Sequence, residues 1–266
     1  MNTRWRPAPT LSASALLHAG AACLAAVQPQ LWPWALGTVA ANHVFLAGAG
    51  LLPRSRVLGP NWVRLPRAAI ARGEIALTID DGPDPEVTPE VLDLLERIDA
   101  KASFFCVGEK LARHPQLVRE ISARGHSVEN HSQHHHLYFS LMGPGRIEEE
   151  VRAAQELIER TTGERPRFFR APAGLRNPFL DYVLNKLDLR LASWTRRGFD
   201  TVNGSSTRVL RMLSRNLAAG DILLLHDGNA ARSPAGTPLI LEVLPALMDS
   251  VRRAQLRTVT LPQALA

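Results

Sequence analysis

The chain has 266 residues, 45% of them hydrophobic, with 31 basic and 25 acidic side chains. That much apolar content with nearly balanced charge builds a core and excludes an intrinsically disordered chain. The charge is unevenly placed: residues 1–73 carry seven arginines (Arg4, Arg6, Arg54, Arg56, Arg64, Arg67, Arg72) and no lysine or carboxylate, whereas the remaining 193 carry 24 basic and 25 acidic groups. A body without an excess of Lys and Arg excludes a nucleic-acid partner. Two cysteines, Cys23 and Cys106, are too few for a disulfide framework or a thiolate metal site, and Cys106, in an apolar run, reads as a small buried hydrophobe.

Between Arg6 and Arg54 lie 47 residues without a charge. Gln28-Pro29-Gln30 and Pro33 divide them into runs 11–27 and 31–52, each close to the roughly 20 residues that a helix needs to cross a bilayer. The pattern predicts a membrane-anchoring helical hairpin over 1–53, with Trp32 and Trp34 at the far interface. A cleaved signal peptide fits Arg4 and Arg6 before an apolar stretch, but a second uncharged run argues against it. A buried soluble hairpin is disfavoured by two helices with no charged face. Arginines flanking both ends place the N-terminus and the body on the cytoplasmic side. Small or polar residues at 18–23 and Gly48-Ala49-Gly50 suggest helix–helix packing.

A basic linker, 54–73, leads to a regular alternation of strands and helices. Residues 75–79 read as a buried strand ending at Asp80-Asp81-Gly82-Pro83, followed by a helix over 87–98. Strand 103–107, helix 114–123, a short strand at 127–128 and a long amphipathic helix over 146–161, stopped by Gly163, come next. The segments 167–170 and 177–187, 189–194 and 207–219, 221–226 and 238–254 are further strand–helix pairs, and 256–260 closes the series. Such alternation implies right-handed parallel units. With about 190 residues against the roughly 250 of an eight-fold barrel, it predicts a distorted, incomplete parallel (β/α) barrel of about seven strands. Polar residues end the strands: Asp80-Asp81, Asn130-His131, Arg170 and His226-Asp227. Strand C-termini are where parallel α/β folds assemble chemistry.

Five of the nine histidines lie between His126 and His136. His131 and His135, four apart, suit one side of a helical turn, and Asp81 supplies a carboxylate. Two imidazoles and a carboxylate with open positions match a catalytic divalent-metal site. His134 and His136 read as loop residues and His126 as serving a turn. Asp-Asp-Gly-Pro by itself also fits a turn with a helix cap.

Thr78-Ile79-Asp80-Asp81-Gly82, His131-Ser132-Gln133-His134-His135, Arg170-Ala171-Pro172-Ala173-Gly174, the segment 194–200 and Leu223-Leu224-Leu225-His226-Asp227 resemble, in order, the five motifs of the polysaccharide deacetylase family (NodB homology, carbohydrate esterase family 4). The resemblance covers about residues 74–266. It implies a distorted (β/α) barrel that removes acyl groups from sugars with a divalent metal, commonly zinc. Carried across the motifs, Asp81, His131 and His135 hold the metal, Asp80 is the general base and Arg170 its ion-pair partner. His226 is the general acid, oriented by Asp200; a backbone N–H near Ala173 stabilises the oxyanion; Trp194 and Leu224 wall the acyl pocket. Asp227 shapes the turn after its strand. Two positions depart from the pattern: Ala173 and Thr201 stand where many members carry aromatic rings. Losing those rings removes sugar-stacking surface and argues against a long polymer.

The expectation is a membrane-anchored hydrolase of an N-acylated, commonly acetylated, amino-sugar glycan or lipid-linked sugar. A cytoplasmic catalytic face suits the lipid-linked substrate, deacetylated or deformylated there. Two other classes compete. A catalytically idle glycan-binding module should have lost a base, ligand or acid; a phosphoesterase should show a second metal site with further carboxylates.

Overall fold

The structure, a computed structural model, describes residues 5–266; Arg4, one of the expected topology signals, lies outside them. The strands among the described residues are β1 (Glu74–Asp80), β2 (Ala102–Cys106), β3 (Ser127–Asn130), β4 (Phe168–Phe169), β5 (Arg190–Leu191), β6 (Arg196–Arg197), β7 (Ile222–His226) and β8 (Arg257–Val259). The near-continuous apolar runs form the central strands β1, β2 and β7, buried on both faces as central parallel strands must be, and shorter strands, several of them partly exposed, flank them. Every pairing is parallel, in the order β5-β4-β3-β2-β1-β7-β6, with β8 on the first three residues of β1. The continuous stretch 190–197 pairs with β4 at its start and with β7 at its end. One piece of chain thus joins both sides of the curl, giving the incomplete parallel barrel expected.

Ten helices are found among the described residues: α1 (Pro9–Val27), α2 (Trp32–Gly50), α3 (Arg67–Ala71), α4 (Val87–Arg97), α5 (Gly108–Arg113), α6 (Pro115–Ala123), α7 (Pro144–Thr162), α8 (Leu180–Lys186), α9 (Ser206–Ser214) and α10 (Leu239–Arg253). Helical spacing decides which face each buries: α4 turns Val87, Val91, Leu92 and Leu95 inward, and α10 turns Leu239, Val243, Leu247 and Val251. With the outward side chains of β1, β2 and β7 they form the main core. Ser205 caps α9, and Gly163, at φ 77°, ends α7 in the left-handed conformation that glycine adopts without strain.

Residues 54–73, expected as a linker, pack into the barrel. Trp62 bridges to Ala192 beside β5, Leu65 N–H donates to Gly220 O at 2.9 Å, and Leu65 and Ala69 help close the barrel floor with Ala76, Phe105 and Phe168.

The uncharged leader folds as α1 and α2, joined by a 3-10 turn at Pro29–Leu31. Asn42 Nδ2 donates to Ser14 Oγ at 2.7 Å, and the His18 and His43 rings meet at 3.2 Å between the helices. Among the described residues α1 alone is long and apolar enough to cross a membrane, with mean hydropathy 1.6. The expected pair of spans is therefore reduced to one helix that qualifies, because Asn42 and His43 sit in the middle of α2. Gly20 and Gly48 have open space around them, so they make no close helix–helix approach; Gly50 instead abuts Arg176 O of the body.

Candidate active site

Strand β1 delivers two consecutive carboxylates to the barrel mouth. Asp80, its last residue, points inward; Asp81 takes φ 70° as the chain leaves the strand, which swings its side chain to the same mouth instead of the opposite face. Gly82 and Gly228 make that turn possible: a Cβ on Gly82 would lie 2.4 Å from Asp227 Oδ2, and one on Gly228 would lie 2.1 Å from Asp81 O. Asp227 sits under this turn, accepting from the Thr88 hydroxyl and from Gly228 N–H, and burial pushes its carboxyl up to about 6.

Asp81 Oδ1 lies 3.2 Å from His131 Nε2 and 3.3 Å from His135 Nε2. The two histidines do not share a helical turn, as their spacing had suggested. They sit in a loop after β3 where Ser132 and His135 adopt φ 63° and 53°, and these two left-handed residues fold both imidazoles back onto Asp81. His131 Nδ1–H donates to Arg170 O at 2.8 Å, which leaves Nε2 unprotonated toward Asp81 in the neutral ring. Asn229 Nδ2 donates to Asp81 Oδ2 at 3.2 Å and Lys110 Nζ to Asp81 O at 2.8 Å. Burial alone would raise the Asp81 carboxyl, but His131, His226 and His135 outweigh it and hold it well below the usual carboxylate range. Burial, reinforced by the neighbouring His131, lowers His135 to about 4. One carboxylate oxygen and two imidazole nitrogens within 4.8 Å of one another are the donor set of a divalent cation, and these residues fit one.

Asp80 meets a different partner. Arg170, 1% exposed, donates from Nη1 to Asp80 Oδ1 at 2.6 Å and to Thr78 Oγ1 at 2.9 Å, from Nη2 to Ser193 O at 2.8 Å and from Nε to Ala192 O at 3.2 Å. Its guanidinium also lies 4.1 Å from the centroid of the Phe105 ring. Strand β7 lies next to β1 and pairs with it so that Asp80 and His226 are register partners. His226 Nδ1 binds Asp200 Oδ1 at 2.9 Å, and its backbone N–H donates to Asp200 Oδ2 at 2.8 Å. Burial alone would lower the imidazole, but the fully buried Asp200 carboxylate, with Asp80 and Asp81, raises it.

These groups open on a small cavity of about 180 Å³, lined also by Ala173, Trp194, Thr201 and Leu224. The structure thus brings together every site residue named from the sequence. Others carry no assignment from the sequence: Thr78 and Phe105 brace the Arg170 guanidinium, Lys110 and Asn229 hold the backbone and carboxylate of Asp81, and Arg197 faces the cavity. His126 accepts from Ala102 N–H at 3.2 Å beneath the sheet, where burial lowers it to about 4. His134 and His136 do more than occupy a loop: they gather on Glu150 as a second cluster of possible metal donors, and none of the three lines the cavity.

A carboxylate in an ion pair, a triad of possible metal donors and a carboxylate-backed histidine around one small cavity at the strand ends form the arrangement a hydrolase needs. The sequence profile described as "Polysaccharide deacetylase" matches residues 69–192. A peptidoglycan-N-acetylglucosamine deacetylase of Bacillus cereus is 35% identical over 175 residues, covering 65% of this chain and 81% of that protein. A chitooligosaccharide deacetylase of Azorhizobium caulinodans is 33% identical over 158 residues, covering 59% and 75%. Among solved structures, a family 4 carbohydrate esterase from Streptomyces lividans, in complex with acetate, superposes with TM-score 0.63 at 29% identity over 70% of this chain and 91% of that one. The chain belongs to the polysaccharide deacetylase family, with NodB homology and carbohydrate esterase family 4 relatives. It is a hydrolase of carbon–nitrogen bonds other than peptide bonds.

Proposed function

We propose that the protein removes an N-acyl group, acetyl or formyl, from an amino sugar presented at a membrane surface. The observation that carries the chemistry is the register pairing of Asp80 with His226, which line one cavity with the Asp81–His131–His135 triad. It puts a carboxylate and a protonatable imidazole at one cavity. Asp81, His131 and His135 would hold a divalent ion, zinc in this reading, which would supply Lewis acidity toward water and the acyl carbonyl. Asp80 takes the proton from water as its oxygen adds to the carbonyl carbon. Arg170 aims that carboxylate through the hydrogen bond from its Nη1. A backbone N–H near Ala173 donates to the developing oxyanion. When the carbon–nitrogen bond breaks, His226 gives its Nε2 proton to the departing nitrogen, and Asp200 stabilises the imidazolium from Nδ1. Trp194 and Leu224 bound the space for the acyl methyl.

The membrane part of the reading rests on the hairpin. Arg176 N–H donates to Gly50 O at 3.1 Å, and Pro53 packs within reach of Gly174, so the leader's end lies against the loop that carries Ala173. A substrate tethered to lipid suits a site at that distance from an apolar helix, and the small residues at 173 and 201 suit a single sugar better than a stacked polymer. Mass spectrometry of lipid-linked sugars from cells with and without the gene tests this: one acyl group retained on a membrane-borne amino sugar supports it, and unchanged profiles count against it.

A further inference from the structure

We propose that Arg197 is an anion-recognition residue that makes the enzyme selective for an acylated amino sugar carrying a phosphate, an inference that rests on the N-deacylase reading of the neighbouring site. Along β6 consecutive side chains diverge: Arg196 turns to Asp221, binding Oδ2 at 2.6 Å, whereas Arg197 turns into the catalytic cavity. Its guanidinium lies 5.3 Å from the Trp194 ring centroid and 5.0 Å from that of Phe199, which fixes a flexible side chain between two aromatic faces. Among the described residues no carboxylate lies within ion-pair distance of it, and its Nε–H is buried without a hydrogen-bond partner. A buried donor left unpaired is costly, so a cation held this way fits an anion that arrives with the substrate.

The surroundings say which substrate. Trp194 and Arg197 also line an adjoining depression of about 460 Å³ whose walls include Pro53, Arg54, Phe199 and Met212 and no acidic side chain. Arg54, immediately after the uncharged leader, donates to Thr195 O at 3.2 Å and likewise has no carboxylate partner among the described residues. The depression therefore runs from the acyl-hydrolysis cavity to the foot of the hairpin with three arginines along it, Arg196 held by Asp221 and Arg54 and Arg197 without a carboxylate partner among the described residues. In a 2-acylamino sugar the anomeric carbon is the next ring atom, so a 1-phosphate stands one carbon from the carbon that bears the acylamino group. Arginine, a forked donor that stays charged, suits phosphate oxygens at that separation.

The test uses the full metal-loaded chain in detergent micelles and three probes: N-acetylglucosamine 1-phosphate, its decyl phosphodiester and neutral decyl N-acetylglucosaminide. Wild type should favour the phosphodiester over the neutral glycoside by about tenfold or more in kcat/KM, the scale of a charge-assisted hydrogen bond. That ratio should fall toward one in Arg197→Gln and be partly kept in Arg197→Lys, a change that a general loss of packing would not cause. Phosphodiester above phosphomonoester assigns the anion to a lipid-linked sugar, and equal rates assign it to a soluble sugar phosphate. A ratio near one in wild type, or an unchanged ratio in Arg197→Gln, overturns the proposal. Isothermal titration with N-acetylglucosamine 1-phosphate and methyl N-acetylglucosaminide reads the same preference without turnover. Phosphate preference that survives Arg197→Gln belongs to the metal site and refutes the role of Arg197, whereas preference lost in the variant without acyl release by wild type upholds it and overturns the deacylase reading.

Discussion

Replacing Arg170 with methionine tests whether the cavity is built around a buried ion pair. Methionine keeps much of the aliphatic volume, so the cost is mainly electrostatic. The change removes four hydrogen bonds, to Asp80, Thr78, Ser193 and Ala192. It also leaves Asp80, 3% exposed, as a carboxylate with no cation in hydrogen-bonding contact. Removing one partner of a buried pair costs about 3–5 kcal/mol, against a typical domain stability of about 5–15 kcal/mol. Arg170→Met should therefore remain folded at 25 °C but lose about that much in urea unfolding followed by near-ultraviolet circular dichroism. Asp80→Asn added to it should restore part of the loss, with a coupling of about 1–3 kcal/mol in the double-mutant cycle. A cost below about 1 kcal/mol, or additive single effects, would refute the claim that these residues form one unit.

Three further outcomes follow. Chelation should abolish activity and zinc should restore it, with one ion lost by elemental analysis in His131→Ala; an active chelated enzyme would contradict the triad's assignment. Asp200→Asn should move the basic limb of the kcat/KM profile to lower pH. Asp200 raises the His226 pKa, so in wild type the protonated acid survives to higher pH, and removing the carboxylate lets it deprotonate earlier; an unmoved limb would mean that another group is the acid. A reporter fused after Ala266 should behave as cytoplasmic if α1 and α2 both cross, since two spans return the chain to its starting side, and an exported reporter would mean that α1 crosses alone.

The alternation of strands and helices and the polar strand ends were readable because each rests on local chemistry: the buried parallel strands are mostly apolar, and ionisable groups gather at their ends, with Glu129 inside β3 the exception. Asp80, Asp81, Arg170 and His226 were found that way. Other features are settled by contacts that no local pattern records. The spacing of His131 and His135 suggested a helical turn, yet two left-handed residues in a loop bring them together. β6 is a pair of arginines, a composition that reads as surface, and it pairs because β7 lies beside it. Glu150 comes from α7 to meet His134 and His136, 16 residues from His134 in sequence and without a motif. Arg197 carried no signal at all, since its meaning lies in the partners it lacks. Residues 54–73 read as a basic linker because five arginines stand out in them, and only the folded chain shows Trp62, Leu65 and Ala69 packed against the barrel.

The central claim is that these residues hydrolyse an N-acyl bond with Asp80 as base and His226 as acid. The most direct measurement is release of acetate from N-acetylated amino-sugar substrates by purified, zinc-loaded protein, beside Asp80→Asn and His226→Ala with equal metal content. Acetate release by wild type, falling by about 100-fold or more in each variant, is the predicted result. Wild-type rates in both variants would contradict it.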